Sequence, residues 1–184
     1  MCLWVAATDD STLYDVARGR GFEQATGLGP ADYAGVIVRD GWVVYARHEK
    51  ATHQSCVAHL LRRGPQDDRG PAPLGARHAP LVRDLLTEAL EARELDAGAR
   101  ARAVADIGER LDLLLERPHP HDANRRLVKH LRHERHAQFT FLTSEGVEAT
   151  NWRGEQGVRP AVVNRKVWGR NRTDRGAETQ GRVT

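Results

Sequence analysis

Cysteine is scarce in this chain: Cys2 and Cys56 are the only two in 184 residues. They lie far apart with no framework spacing, which excludes a disulfide-stapled scaffold and points to a reducing compartment. Long apolar runs are missing too. No stretch approaches the ~18 residues that a membrane-spanning helix needs, so no membrane partner is expected. The opening Met1-Cys2-Leu3-Trp4-Val5-Ala6-Ala7-Thr8 has no basic start and is short for a secretion signal; it reads as a strand. A cytoplasmic protein is the expectation. Net charge is small, +3 with a pI near 9.2. With 40% hydrophobic and 29% charged residues, the chain can bury a modest core, as one domain or as one domain with an insertion.

The basic residues that are present are unevenly placed. From Asn151 onward eight of them (Arg153, Arg159, Arg165, Lys166, Arg170, Arg172, Arg175, Arg182) face three acidic ones (Glu155, Asp174, Glu178). Such a segment suits a polyanion such as DNA or RNA, and equally suits a solvated terminus.

Periodicity predicts an α/β protein. Leu3 to Ala7 and Leu13 to Ala17, joined by Asp9-Asp10-Ser11, read as a hairpin. Phe22 to Leu28 reads as one or two helical turns stopped by Gly29-Pro30. Val36 to Val38 is a β-branched run expected to be buried on both faces. Trp42 to His48 and Cys56 to Arg63 read as helical. Gly64 to Pro80 reads as a loop. Three amphipathic helices follow, carrying Leu81, Val82, Leu85 and Leu86, then Ile107, Leu111, Leu114 and Leu115 up to Pro118, then Leu127, Val128 and Leu131. They show no chemistry of their own. Phe139 to Leu142 is a short apolar return.

Two carboxylates stand out. Asp40 closes the strand Gly35-Val36-Ile37-Val38-Arg39, where α/β sheets open toward ligands; it equally fits a turn before Gly41. Glu155 follows Asn151-Trp152 as a second candidate metal ligand, or as an i,i+4 partner of Arg159 worth a few tenths of a kcal/mol. Asn151 suits a helix N-cap. His53, Cys56 and His59 lack the second ligand pair that a structural zinc site needs. His119, His121, His130, His133 and His136 read as a pH-sensitive basic surface.

Several segments taken in order resemble the insertion-sequence transposases of the IS66 family, of DDE type. They are Leu3-Trp4-Val5, Arg18-Gly19-Arg20-Gly21, Gly35 to Trp42 with Tyr45, Cys56-Val57-Ala58-His59-Leu60-Leu61-Arg62-Arg63, Phe141-Leu142, Thr150-Asn151-Trp152, Glu155-Gln156, Arg159-Pro160, Asn164-Arg165-Lys166 and Asn171-Arg172-Thr173. The resemblance implies a ribonuclease-H-like fold and cutting and joining of DNA at insertion-sequence ends. It also implies a two-ion site, normally Mg²⁺, since hard cations prefer oxygen ligands. Asp40 would be the second acidic ligand and Glu155 the third. Arg159, Arg165 and Lys166 would contact phosphate. Cys56, His59 and Asn151 match family motifs, as structural support.

The same resemblance places a first catalytic Asp on a strand preceding Leu3-Trp4-Val5, and here Met1 stands directly before that strand. Asp9 and Asp10 fall in the hairpin turn and are poor substitutes. Gly154 and Gly157 also stand where the family has small helix formers, and Arg170 where it has Gly. The expectation is an incomplete ribonuclease-H-like fold with its first central strand missing, marginally folded and inactive alone. Residues 1–63 and 139–184 would form the core, and residues 64–138 a helical insertion. The alternatives are a non-catalytic DNA-binding or regulatory module acting with a full-length transposase, and an unrelated zinc- or histidine-based metalloprotein.

Overall fold

The computed structural model describes residues 2–63, 78–119 and 122–168. Arg170, Arg172, Arg175 and Arg182, His121, and the loop up to residue 77 lie outside the described residues. In chain order the elements are β1 (Cys2–Ala7), β2 (Thr12–Ala17), α1 (Phe22–Ala25), β3 (Val36–Arg39), a 3-10 turn (Val43–Arg47), β4 (Thr52–Ser55), α2 (Val57–Arg62), α3 (His78–Glu91), α4 (Ala97–Glu116), α5 (Asp122–Glu134), α6 (Thr140–Thr143) and α7 (Trp152–Trp168). The fold is α/β. Its residues divide into two units.

One unit combines residues 1–35, 42–51 and 151–184. Its hairpin pairs β1 with β2 antiparallel, from Cys2 opposite Ala17 to Ala7 opposite Thr12. The turn is held by Thr8, whose hydroxyl donates to Asp10 at 2.8 Å and whose amide donates to the Ser11 carbonyl at 2.8 Å. Trp4 is buried, edge-on to Tyr45 and tilted against Trp42, both at 6.3 Å between ring centres. The Arg20 guanidinium stacks 3.6 Å from the centre of the Trp42 ring, a favourable cation–π geometry. Helix α7 packs along β1. Gly157 makes that approach possible, because a Cβ there would sit 2.9 Å from Val5 and 3.2 Å from Thr12. The Tyr14 hydroxyl donates to the Gly157 carbonyl at 3.0 Å.

The other unit holds residues 36–41 and 52–150. Here β3 and β4 form a parallel pair, with Val36, Ile37, Val38 and Arg39 opposite Thr52, His53, Gln54 and Ser55. Strand β4 was not expected: Thr-His-Gln-Ser offers no apolar alternation. It forms because its polar groups find partners inside. The Gln54 amide donates to the Gln138 carbonyl at 3.2 Å and accepts from the Phe141 amide at 2.9 Å, and the Thr140 hydroxyl donates to the His53 carbonyl at 2.6 Å. The expectation that β3 is buried on both faces is corrected. Val36 is 39% exposed and Ile37 half-buried, since among the described residues β3 has a single strand neighbour.

The amphipathic helices form as their periodicity predicts and carry most of this unit's core, around Leu86, Ile107, Leu111, Leu131 and Phe141. Asp96 caps α4, its side chain accepting from the Ala99 amide at 2.9 Å. Arg117 turns extended (ψ 153°) ahead of Pro118 and ends it. Helix α3 starts at His78, earlier than the loop reading, and takes Pro80 into its first turn, where a missing N–H costs nothing. Leu81 is 44% exposed and does not join the buried stripe.

Gly157→Val should destabilise the α7–hairpin contact by about 1–3 kcal/mol, the range for overpacking a filled site. Thermal melting followed by tryptophan fluorescence checks this, with Gly29→Ala, at an open position, as the tolerated control.

Candidate active site

Asp40 is the first residue beyond β3 and is half-buried. The parallel ladder extends up to it, since the Cys56 amide donates to the Arg39 carbonyl at 2.8 Å. The side chain of Arg39, 1% exposed, is drawn into a polar network. Its Nε donates to His53 Nδ1 at 3.2 Å, and its Nη1 lies 2.8 Å from Glu134 Oε2 and 3.4 Å from the Asp40 carbonyl oxygen. The Ser55 hydroxyl donates to the same Glu134 oxygen. On the far side of Asp40, Gly41 has no room for a side chain: a Cβ would collide with the His130 ring and approach Arg63 Nη2 to 3.1 Å. A close approach of this kind requires glycine.

Electrostatics follow from these contacts. Burial pushes the Glu134 carboxyl up, but the Ser55 hydrogen bond and the charge and hydrogen bond of Arg39 together outweigh it, leaving Glu134 below its ordinary 4.5. His130 is held below its ordinary 6.5 by burial first and then by the positive Arg63, against the pull of Glu134. It is therefore largely neutral at pH 7.

Cys56 is the buried residue preceding α2, and His59 is the third residue of that short helix. The Val57 amide donates to the Ala149 carbonyl at 2.9 Å, anchoring this turn to the segment before α7. His133 and His136 are exposed, as a basic surface requires; the ring of His136 packs edge-on to His53 at 6.4 Å. His119 instead stacks edge-on to His78 at 4.4 Å.

In the hairpin unit, Glu155 lies exposed in the first turn of α7. Asn151 directly precedes the helix and its carbonyl accepts from the Glu155 amide at 3.1 Å, the first bond of the helix. Arg153 joins Asp9 at 2.8 Å and stacks on Trp152. Arg159 is exposed one turn on from Glu155, and Arg165 and Lys166 fall on the α7 backbone. Asp40, Cys56 and His59 thus belong to one unit, and Glu155, Asn151 and Arg159 to the other.

A family model described as transposase, IS66 family, matches residues 1–179. The chain belongs to the IS66 transposase family. No curated protein and no solved structure matches it. Membership of this DDE family implies DNA as a partner and the use of divalent metal in general. Asp40 and Glu155 offer hard carboxylate oxygens, and Asp40 stands at the carboxyl end of a parallel strand. Among the described residues no helix is long and apolar enough to cross a membrane.

The residues that sequence reasoning missed are Arg39, Ser55 and Glu134, and it weighed His53 only as an incomplete zinc ligand. A signal existed for the first: a charged residue ending a β-branched run has to be either exposed or paired. Nothing in the sequence singles out Glu134 among the charges of α5.

Because the Glu134 carboxyl titrates below its ordinary value, it adds stability that is present above pH 4.5 and lost as pH falls through its folded value. Urea unfolding between pH 7 and pH 3 should show this loss. Glu134→Gln should flatten the slope while lowering stability at pH 7 by about 3–5 kcal/mol, the cost of leaving a buried charge unpaired.

Proposed function

We propose that this chain supplies the second and third carboxylates, Asp40 and Glu155, of a ribonuclease-H-like DDE core that cuts and joins DNA at insertion-sequence ends. The observation that supports this reading is the division of the strands. The described residues contain one antiparallel hairpin and one separate parallel pair. An antiparallel hairpin and a parallel strand that ends at an acidic residue are both pieces that a ribonuclease-H-like core would contain. In this reading residues 1–63 and 139–184 are core and residues 64–138 are an insertion.

Asp40 and Glu155 would hold Mg²⁺ through their side-chain oxygens. When bound, such an ion would supply Lewis acidity at a phosphodiester and toward a water or 3′-hydroxyl nucleophile. Arg159, Arg165 and Lys166 on α7 neutralise phosphates, contacts that position a duplex but read no base. Cys56, His59 and Asn151 support the two ligand-bearing segments. The partner is DNA at insertion-sequence ends, in the cytoplasm.

In an active transposase that carries these residues, Asp40→Asn and Glu155→Gln should each lower strand cleavage by more than about a hundredfold, exceeding the cost of disturbing only the outer ring of a metal site. Both should leave DNA binding in place. Cleavage assays on labelled ends, alongside gel shifts, check this, and unimpaired cleavage by Glu155→Gln rejects the ligand assignment. Arg159→Ala should weaken binding across sequences and reduce the slope of log affinity against log salt by about one. An unchanged slope removes Arg159 from the phosphate contacts.

A further inference from the structure

Asp40 is gripped from both sides by one face of a single helix. Glu134 and His130 are four residues apart on α5 and therefore share a face. Glu134 reaches the residue before Asp40, at 2.8 Å from Arg39 Nη1. His130 reaches the residue after it, lying against Gly41 so closely that a Cβ cannot be accommodated. Arg39 and Ser55 are register partners at the ends of β3 and β4, and both converge on the same Glu134 oxygen. The carboxylate therefore clamps the two strand ends together one residue short of Asp40. Arg39 in turn reaches the Asp40 carbonyl at 3.4 Å.

This arrangement is a poor device for stability alone. Removing two charges from water costs about as much as their attraction returns unless every remaining polar atom is satisfied. Here Arg39 Nη2 and Glu134 Oε1 have no hydrogen-bond partner among the described residues. Nor is Glu134 placed to be a ligand itself. Its side chain is 1% exposed and one of its oxygens is already shared by Arg39 and Ser55. What the clamp supplies is a fixed backbone at the strand end.

We propose that Glu134, acting through Arg39 and Ser55, is the positioning residue that aims the Asp40 carboxylate at its divalent ion. The inference rests on the reading of Asp40 as a ligand. It also gives the helical segment a role in the site that its sequence does not announce.

The test is Mn²⁺ affinity of the full 184-residue chain, followed by electron paramagnetic resonance of the free ion, with folding checked by circular dichroism. Amide hydrogen exchange at Asp40 and Gly41 is read in parallel. Glu134→Gln should weaken Mn²⁺ binding by about 10- to 100-fold, the usual scale for losing an outer-ring partner of a metal site, and speed exchange at both amides. Ser55→Ala, a gentler change, should move both readouts in the same direction by less. Leu111→Ala, a cavity in the same unit, should lower the melting temperature without weakening binding by the folded protein, which separates positioning from general stability.

Should Asp40→Asn abolish Mn²⁺ binding while folded Glu134→Gln and Ser55→Ala bind as the parent does, the positioning role is overturned and the ligand reading stands. Should Asp40→Asn bind as the parent does, the ligand reading itself is overturned, and the inference with it. Should Glu134→Gln not fold, Ser55→Ala decides: unchanged affinity and unchanged exchange overturn the proposal, and a coupled loss of both supports it.

Discussion

A guanidinium taken out of water has to meet a carboxylate, and at Arg39 that requirement organises one whole unit of the molecule. The strand ends in a buried cation, so a partner must come from outside the strand pair, and it comes from the end of α5. Once Glu134 is committed there, Ser55 and His53 are drawn in beside it, and a strand with no apolar pattern becomes stable at the side of β3. Helices that look like packing material thus determine how the strand end carrying Asp40 is built.

The two units solve the problem of stability differently. The helical unit has a continuous apolar core, with Leu86, Ile107, Leu111 and Leu131 fully enclosed. The hairpin unit relies on a few aromatic contacts around Trp4 and on the close approach of α7, made possible by Gly157. Each unit presents one of the two acidic residues on which the functional proposal rests. The residues around them are suited to separate tasks. Asp40 directly follows a buried polar network of Arg39, His53, Ser55 and Glu134. Glu155 stands in the first turn of a helix that carries the basic residues proposed to meet phosphate.

Much of this was legible in the sequence where periodicity was strong. The hairpin, β3, α2, the three amphipathic helices and the stop at Pro118 all follow from patterning and turn chemistry. What escaped was whatever depended on partners distant in the chain. Strand β4 reads as polar loop because its hydrogen bonds go to residues 84–87 positions away. Arg39 reads as a strand-end charge because its counter-charge lies on a helix whose sequence is full of charges. Gly157 reads as a weak point in a helix, and only the approach of Val5 and Thr12 explains it. Asp40 and Glu155 were singled out because they sit in motifs, whereas Glu134 has no motif and stands out only by its geometry.

The central claim is that residues 40 and 155 serve one cation. Crystals grown with Mn²⁺ and measured at its absorption edge test it most directly. The account predicts an anomalous peak bonded by side-chain oxygens of both Asp40 and Glu155. A Mn²⁺ ion bound by one of them without the other, or held elsewhere in the molecule with both carboxylates bare, would contradict it.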